Sequence, residues 1–168
     1  MSEVTSIELL LDPATEAAVR AEWEALAAAG LSSMAAHTSE SNRPHITLLA
    51  RNGPVEIGGA IGERMLPLPI TLGAPVLFGS GERRVLARSV IPSARLLALH
   101  AEVHSSVGDG VDLPHTAPEE WMPHVTLARR ARSESLPTAL ALIGQELHGF
   151  ALGLRRWDAV ARTVTDLG

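Results

Sequence analysis

"SNRPHITLLA", residues 41–50, and "WMPHVTLARR", residues 121–130, share the frame Pro-His-(Ile or Val)-Thr-Leu. On a β-strand successive side chains point to opposite faces. His45 and Thr47 then share one face, with Ile46 and Leu48 behind them. His124 and Thr126 share a face, with Val125 and Leu127 behind. Each copy is an apolar anchor that presents one imidazole and one hydroxyl to a cleft. A single copy would read most simply as an ordinary edge strand. By average residue usage, a given His falls in such a frame on the order of once in several thousand trials. Here two of the 7 histidines do so.

The copies lie 79 residues apart (45 to 124), close to half of the 168-residue chain, as an internal duplication would leave them. The surrounding pattern repeats as well. Apolar residues 6–12 read as a buried strand. Residues 13–30 read as a helix that starts at Asp12-Pro13 and stops at Gly30. Its Ala17, Ala18, Ala21, Ala25 and Ala28 suit close packing on a sheet. Residues 44–50 are a strand and 55–65 a weak helix loosened by three glycines. Residues 69–79 and 83–90 are strands around a hairpin turn. The order then recurs: helix 92–108, loop 108–120, strand 123–130, helix 135–149, and strands 150–160 and 162–168. Helices with hairpin-linked strands in this order predict an α+β fold. The length predicts a single two-lobed domain over residues 1–168.

Composition narrows the chemistry. Cysteine is absent, which removes disulfides, thiolate metal sites and a cysteine nucleophile. No basic N-terminal stretch precedes an apolar core, and no run is long enough to span a bilayer. A cytoplasmic location is the expectation, with no membrane and no obligate protein partner. Net charge is −5, which argues for a short substrate over a long polyanion. All 14 basic residues are Arg, the better side chain for forked contacts to phosphate. Doublets stand at Arg83-Arg84, Arg129-Arg130 and Arg155-Arg156; a solvated surface pair is the plainer reading of each taken alone.

Two imidazoles across a cleft suit phosphoester chemistry. A neutral His can take the proton of the attacking hydroxyl while a protonated one supplies the leaving oxygen. Two Thr hydroxyls and an Arg can hold the non-bridging oxygens. The scheme needs no cofactor and no metal. "HAEVH" does place His100 and His104 at a zinc-compatible spacing, with His115 as a conceivable third ligand. A partly exposed helix face is the plainer reading. His37 precedes the first motif in a polar loop and is placed to border the cleft. His148 is expected at a helix C-terminus.

"HITL" and "HVTL" resemble the paired His-x-Thr-x motifs of the 2H phosphoesterase superfamily, and within it the 2′-5′ RNA ligase / RNA 2′,3′-cyclic phosphodiesterase branch. The resemblance covers nearly the whole chain. It implies two pseudo-symmetric lobes of antiparallel strands with flanking helices around a central cleft. It implies His45 and His124 as catalytic residues, and Thr47 and Thr126 as phosphate-binding ones. Relatives often carry an Arg shortly after the second motif, where Arg129 stands; strict alternation from His124 puts it on the other face unless a bulge intervenes. The implied activity is metal-independent hydrolysis of 2′,3′-cyclic phosphate ends of RNA or of small cyclic nucleotides, with 2′-5′ ligation as the reverse. The implied partners are those RNA ends or nucleotides. Many relatives have an aromatic just after the first motif, where this chain has Ala50. Phe78, Trp121 and Phe150 are the few candidates for base stacking, and core or lid is the plainer role for each. A cleft that binds a nucleotide without turnover is the alternative.

Overall fold

The computed structural model describes residues 3–57 and 60–168. Its strands are β1 (Val4–Leu11), β2 (His45–Asn52), β3 (Leu68–Phe78), β4 (Arg83–Val90), β5 (His124–Arg132), β6 (Leu147–Asp158) and β7 (Thr163–Asp166). Its helices are α1 (Pro13–Ala28), α2 (Ile61–Met65), α3 (Ala94–Ser106) and α4 (Leu136–Leu142). All strand pairs are antiparallel and form one sheet in the order β2-β1-β6-β3-β4-β5, with β7 beside β6. One lobe is β2-β1-β6 and the other β3-β4-β5. The two lobes meet where β6 pairs with β3.

The duplication is visible in the register. Leu10 pairs with His45, and Ser89, 79 residues beyond Leu10, pairs with His124. Glu8 pairs with Thr47, and Ala87 with Thr126. At the centre Ile70 pairs with Gly149, its own 79-residue equivalent, so the pseudo-dyad passes through that pair. The halves exchange strands: β6 of the second half completes the first lobe, and β3 of the first half completes the second. The long helices cross over too. α1 packs against β5 and β6, while α3 packs against β2 and β3. The two motif strands end the strand order, and the sheet curls until β2 and β5 pack against each other.

Local signals explain most element ends. Asp12 Oδ1 accepts from the Ala14 and Thr15 amides, both at 3.0 Å, and Pro13 opens α1. Gly30 follows α1 with φ of 73°. Ser93 caps α3 by accepting from the Leu96 amide at 3.2 Å. Gly79 and Gly81, both at positive φ, turn the β3–β4 hairpin. The core lies between sheet and helices and includes Ile7, Leu9, Ile46, Leu48, Leu86, Leu96, Val125 and Leu127, each no more than 1% exposed.

Four expectations change. The alanines of α1 do not form its inner face: Ala17, Ala21 and Ala28 are exposed. The buried stripe is Thr15, Val19, Glu22, Trp23 and Leu26, where larger apolar surface is removed from water and Glu22 meets a buried arginine. The helix over 135–149 stops at Leu142, and β6 starts at Leu147. Tertiary bonds override the local pattern there. The Arg88 guanidinium donates to the Gly144 and Gln145 carbonyls, and Glu22 accepts from the Gly144 amide. His148 is therefore on a strand, exposed, with Nδ1 3.2 Å from Thr71 Oγ1. Of the weak helix over 55–65, only Ile61–Met65 is helical; Gly58 and Gly59 lie outside the described residues.

Candidate active site

The motif strands alternate as their sequence requires. His45 and Thr47 are half-buried while Ile46 and Leu48 are in the core. His124 and Thr126 are half-buried while Val125 and Leu127 are in the core. Each ring is fixed by its own backbone two residues upstream. His45 Nδ1 lies 2.7 Å from the Arg43 carbonyl, and His124 Nδ1 lies 2.6 Å from the Met122 carbonyl. A carbonyl only accepts, so Nδ1 carries the hydrogen in both rings. Nε2 is thereby left as the free nitrogen of each ring. Indole donors from the opposite half pin both strands: Trp121 Nε1 donates to the Thr47 carbonyl and Trp23 Nε1 to the Thr126 carbonyl, each at 3.0 Å.

The surroundings of the two rings differ. Glu8, on β1, holds Oε1 3.6 Å from His45 Nε2. Ser6 Oγ donates to Glu8 Oε1, and Arg155 Nε donates to Glu8 Oε2, both at 2.7 Å. Burial pushes the Glu8 carboxyl up, but the charges of His45 and Arg155 and the bonds from Ser6 and Arg155 outweigh it. The group is held below the usual carboxylate range and stays ionised. Arg155 also donates to the Ser41 carbonyl at 2.8 Å, and Glu16 pairs with Arg43, so the turn into His45 is anchored twice.

His124 has no carboxylate against it among the described residues. Phe78 tilts over its ring with centroids 4.5 Å apart, and His115 lies on Phe78 at 5.0 Å. Burial pushes the His124 ring below the usual imidazole value, and the charges of His45 and His115 push the same way. The bond to the Met122 carbonyl opposes them and loses. The two motif histidines stand on β2 and β5, the strands that pack against each other across the seam.

Arg129 does reach the cleft. Thr126 pairs with Ala87 but Ala128 with Leu86, so Leu127 is an extra residue and the alternation of β5 flips beyond it. Leu127 and Ala128 are both buried, and Arg129 emerges on the side of Thr126. β2 has the matching bulge at Leu48, between the Glu8–Thr47 and Ile7–Leu49 pairs. A cavity of about 460 Å³ collects His45, Thr47, Glu8, Arg155 and, from across the seam, Arg129. His37 and Ala50 line it as well. His124 and Thr126, on β5, are not among the residues that line it.

The remaining sequence candidates are placed elsewhere. His100 Nε2 bonds the Thr116 carbonyl at 2.9 Å, and His104 Nε2 bonds the Leu48 carbonyl at 3.0 Å. His115 lies against Phe78. The three rings do not converge, and no group of three or more metal-ligating side chains occurs among the described residues. Trp121 stacks on His100 at 4.0 Å and props up β2, and Phe150 is exposed on β6. Of the three aromatics, Phe78 packs against a motif imidazole, while Trp121 reaches a motif residue only through the Thr47 carbonyl. Glu8, Ser6, Arg155 and Trp157 line the cavity and were missed from the sequence. Two signals pointed to them: an acidic residue inside the apolar run 6–12, and a Trp 79 residues after Phe78.

No helix among the described residues is long and apolar enough to cross a membrane. No curated protein matches the chain in sequence. Among solved structures it is similar to Kluyveromyces marxianus Usb1, at 13% identity over 99% of this chain and 98% of that one, with a TM-score of 0.48. It is similar to the same protein with uridine monophosphate at 13% identity and a TM-score of 0.47, with 99% and 98% covered. Residues 15–166, which carry both motif strands and the bulges that follow them, match the model of the 2′-5′ RNA ligase superfamily, and the chain belongs to that superfamily of 2H phosphoesterases.

Proposed function

We propose that this protein is a metal-independent phosphoesterase that hydrolyses 2′,3′-cyclic phosphates at RNA ends or on small nucleotides. The single observation that carries this reading is the pair of histidines with locked Nδ1 hydrogens and unlike surroundings. His124, held neutral by burial, is the general base. His45, beside the ionised Glu8, is the general acid. Water attacks the phosphorus as His124 Nε2 takes its proton. The bond from phosphorus to one ribose oxygen breaks, and His45 Nε2 gives its proton to that oxygen. Thr47, Thr126 and Arg129 hold the non-bridging oxygens, where charge grows in the transition state. With a nucleic-acid 5′-hydroxyl attacking in place of water, His124 takes that hydroxyl's proton, the bond from phosphorus to the 3′ oxygen breaks with His45 protonating it, and a 2′-5′ phosphodiester is left, which is how ligation fits the site. All proton transfers are carried by side chains of the chain itself.

The test is turnover of a 2′,3′-cyclic mononucleotide in the presence of a chelator. Hydrolysis to the monoester, lost in His124→Ala, supports the reading. Saturable binding of the nucleotide with no turnover would replace it with a non-catalytic binding module. Activity abolished by the chelator and restored by a metal would overturn the two-histidine scheme.

A further inference from the structure

The catalytic cavity continues past Arg129. A second cavity of about 560 Å³ shares Met34, His37 and Arg129 with it and runs on to Arg130 and Ser32. A third, of about 220 Å³, shares Gly30, Ser32 and Arg130 with the second and adds Arg83 and Arg132. The result is a groove between residues 30–37 and the end of β5. The two walls touch where the Arg130 amide donates to Ser32 Oγ at 3.3 Å. Arg83, Arg129, Arg130 and Arg132 are all exposed along it. No Asp or Glu lines either outer cavity among the described residues. Arg132 does pair with Glu134 at 2.9 Å, but both side chains are well exposed, so that pair is screened and weak.

The pseudo-dyad supplies a built-in control. The residue equivalent to Arg130 is Arg51, 79 positions earlier, and the segment equivalent to residues 30–37 is 109–116. On that side the loop closes over the strand. Asp112 pairs with Arg51 and bridges its backbone, the Arg51 guanidinium donates to the Gly108 carbonyl at 2.9 Å, and the Leu113 amide donates to the Ala50 carbonyl at 2.8 Å. Arg51 is 9% exposed. The position equivalent to Asp112 is Ser33, which is neutral, so Arg130 has no carboxylate partner among the described residues. The same fold thus seals one end of the cleft with an ion pair and leaves free guanidinium groups at the other. The C-terminus of α1 brings only about half a negative charge to this groove, against several full positive ones.

Resting on the reading above, we propose that this groove is a subsite for the sugar-phosphate backbone of a single-stranded oligonucleotide whose terminal phosphate occupies the His45–His124 cleft. Phosphates inward of the reacting one lie against Arg130 and Arg83, and the chain leaves past β5. The preferred substrate is then the end of an oligoribonucleotide and not a mononucleotide. A short basic track of this kind is compatible with a net charge of −5, because it engages only a few phosphates.

The test measures binding of oligoribonucleotides of one, two, four and six residues carrying a 3′-phosphate, at two salt concentrations, alongside hydrolysis of a 2′,3′-cyclic mononucleotide. The parent should bind the tetranucleotide about 10-fold or more tighter than the mononucleotide, with a salt slope steeper by about 0.7 for each added phosphate contact. The double variant Arg83→Ala/Arg130→Ala should lose that gain and keep mononucleotide hydrolysis. Arg95→Ala on α3, which removes one charge outside the groove, should keep the gain. Affinity independent of length overturns the proposal, as does a gain that survives the double variant or vanishes equally in Arg95→Ala. Length-dependent binding without mononucleotide hydrolysis would sink the catalytic reading and leave the groove standing.

Discussion

His45 and His124 occupy equivalent points of the pseudo-dyad, and each gives its Nδ1 hydrogen to the carbonyl two residues upstream. Beyond the rings the two halves part. The partner position to Thr47 on β1 is Glu8, and the partner to Thr126 on β4 is Ala87. Arg155 faces Glu8 across β1 and β6; its equivalent, Val76, faces Ala87 across β3 and β4. A charged pair therefore stands beside one histidine, and an aromatic ring covers the other. On the proposed reading, duplication placed two identical tools at one phosphate, and the unlike neighbours turned them into an acid and a base. The same divergence runs through the core. Arg88, 1% exposed and paired with Glu22, occupies the place that Leu9 fills in the first half.

The comparison breaks most simply at the rings. His45→Ala and His124→Ala should each lose about 10²–10⁴-fold in kcat/KM on a substrate that the parent turns over. The double variant should lose far less than the product of the two, since the rings act as a unit. Rates for all three, measured under one set of conditions, decide this. Full activity in either single variant would remove its histidine from the mechanism.

The buried ion pair comes next and is read by denaturant unfolding. Glu22→Ala leaves the Arg88 guanidinium buried without its counter-charge, and should cost about 3–5 kcal/mol. Glu22→Ala/Arg88→Leu, which copies the apolar arrangement around Leu9, should recover much of that loss. If the double variant is as unstable as the single one, then the carbonyl contacts of Arg88 at Gly73, Gly144 and Gln145 matter more than the ion pair.

Thr47→Val and Thr126→Val probe what the halves still share. A hydrogen bond to a charged group is worth about 1.5–3 kcal/mol, so each should cost about 10–100-fold in kcat/KM, and by similar factors. A loss confined to one of them would mean that the phosphate is held from a single lobe.

How much of this was legible in the sequence follows from the range of the forces involved. The motif strands were readable because alternation is a local property, and two copies in one frame exclude coincidence. The bulge that delivers Arg129 was not readable. It depends on Leu48 and Leu127 being surplus against partners on β1 and β4. The end of α4 was misread because Arg88 and Glu22, far away in sequence, hold residues 144–145. Glu8 and Arg155 lie 147 residues apart and meet only through the β1–β6 register. A local pattern shows an acid in one apolar strand and an Arg doublet in another; only the sheet makes them a pair.

The smaller effects are shifts in pH dependence, and these sharpen the contrast between the rings. The base must be neutral, and the His124 ring is held below the usual imidazole value, so activity should persist below pH of about 6.5 before it falls. Phe78→Ala admits water to that ring, relieves the burial that lowers it, and should move the acid limb to higher pH. An unmoved acid limb in Phe78→Ala would argue that burial by Phe78 is not what keeps the base neutral.

The most direct measurement is the pH profile of kcat/KM for a 2′,3′-cyclic nucleotide in the parent and in Glu8→Gln. The parent should give a bell. Glu8→Gln removes the negative charge 3.6 Å from His45 Nε2 while keeping an acceptor beside it, and so withdraws the counter-charge that faces an imidazolium there. The expected result is a basic limb displaced to lower pH with the acid limb unmoved. A displaced acid limb, or a profile that Glu8→Gln leaves unchanged, would contradict the assignment of His45 as acid and His124 as base.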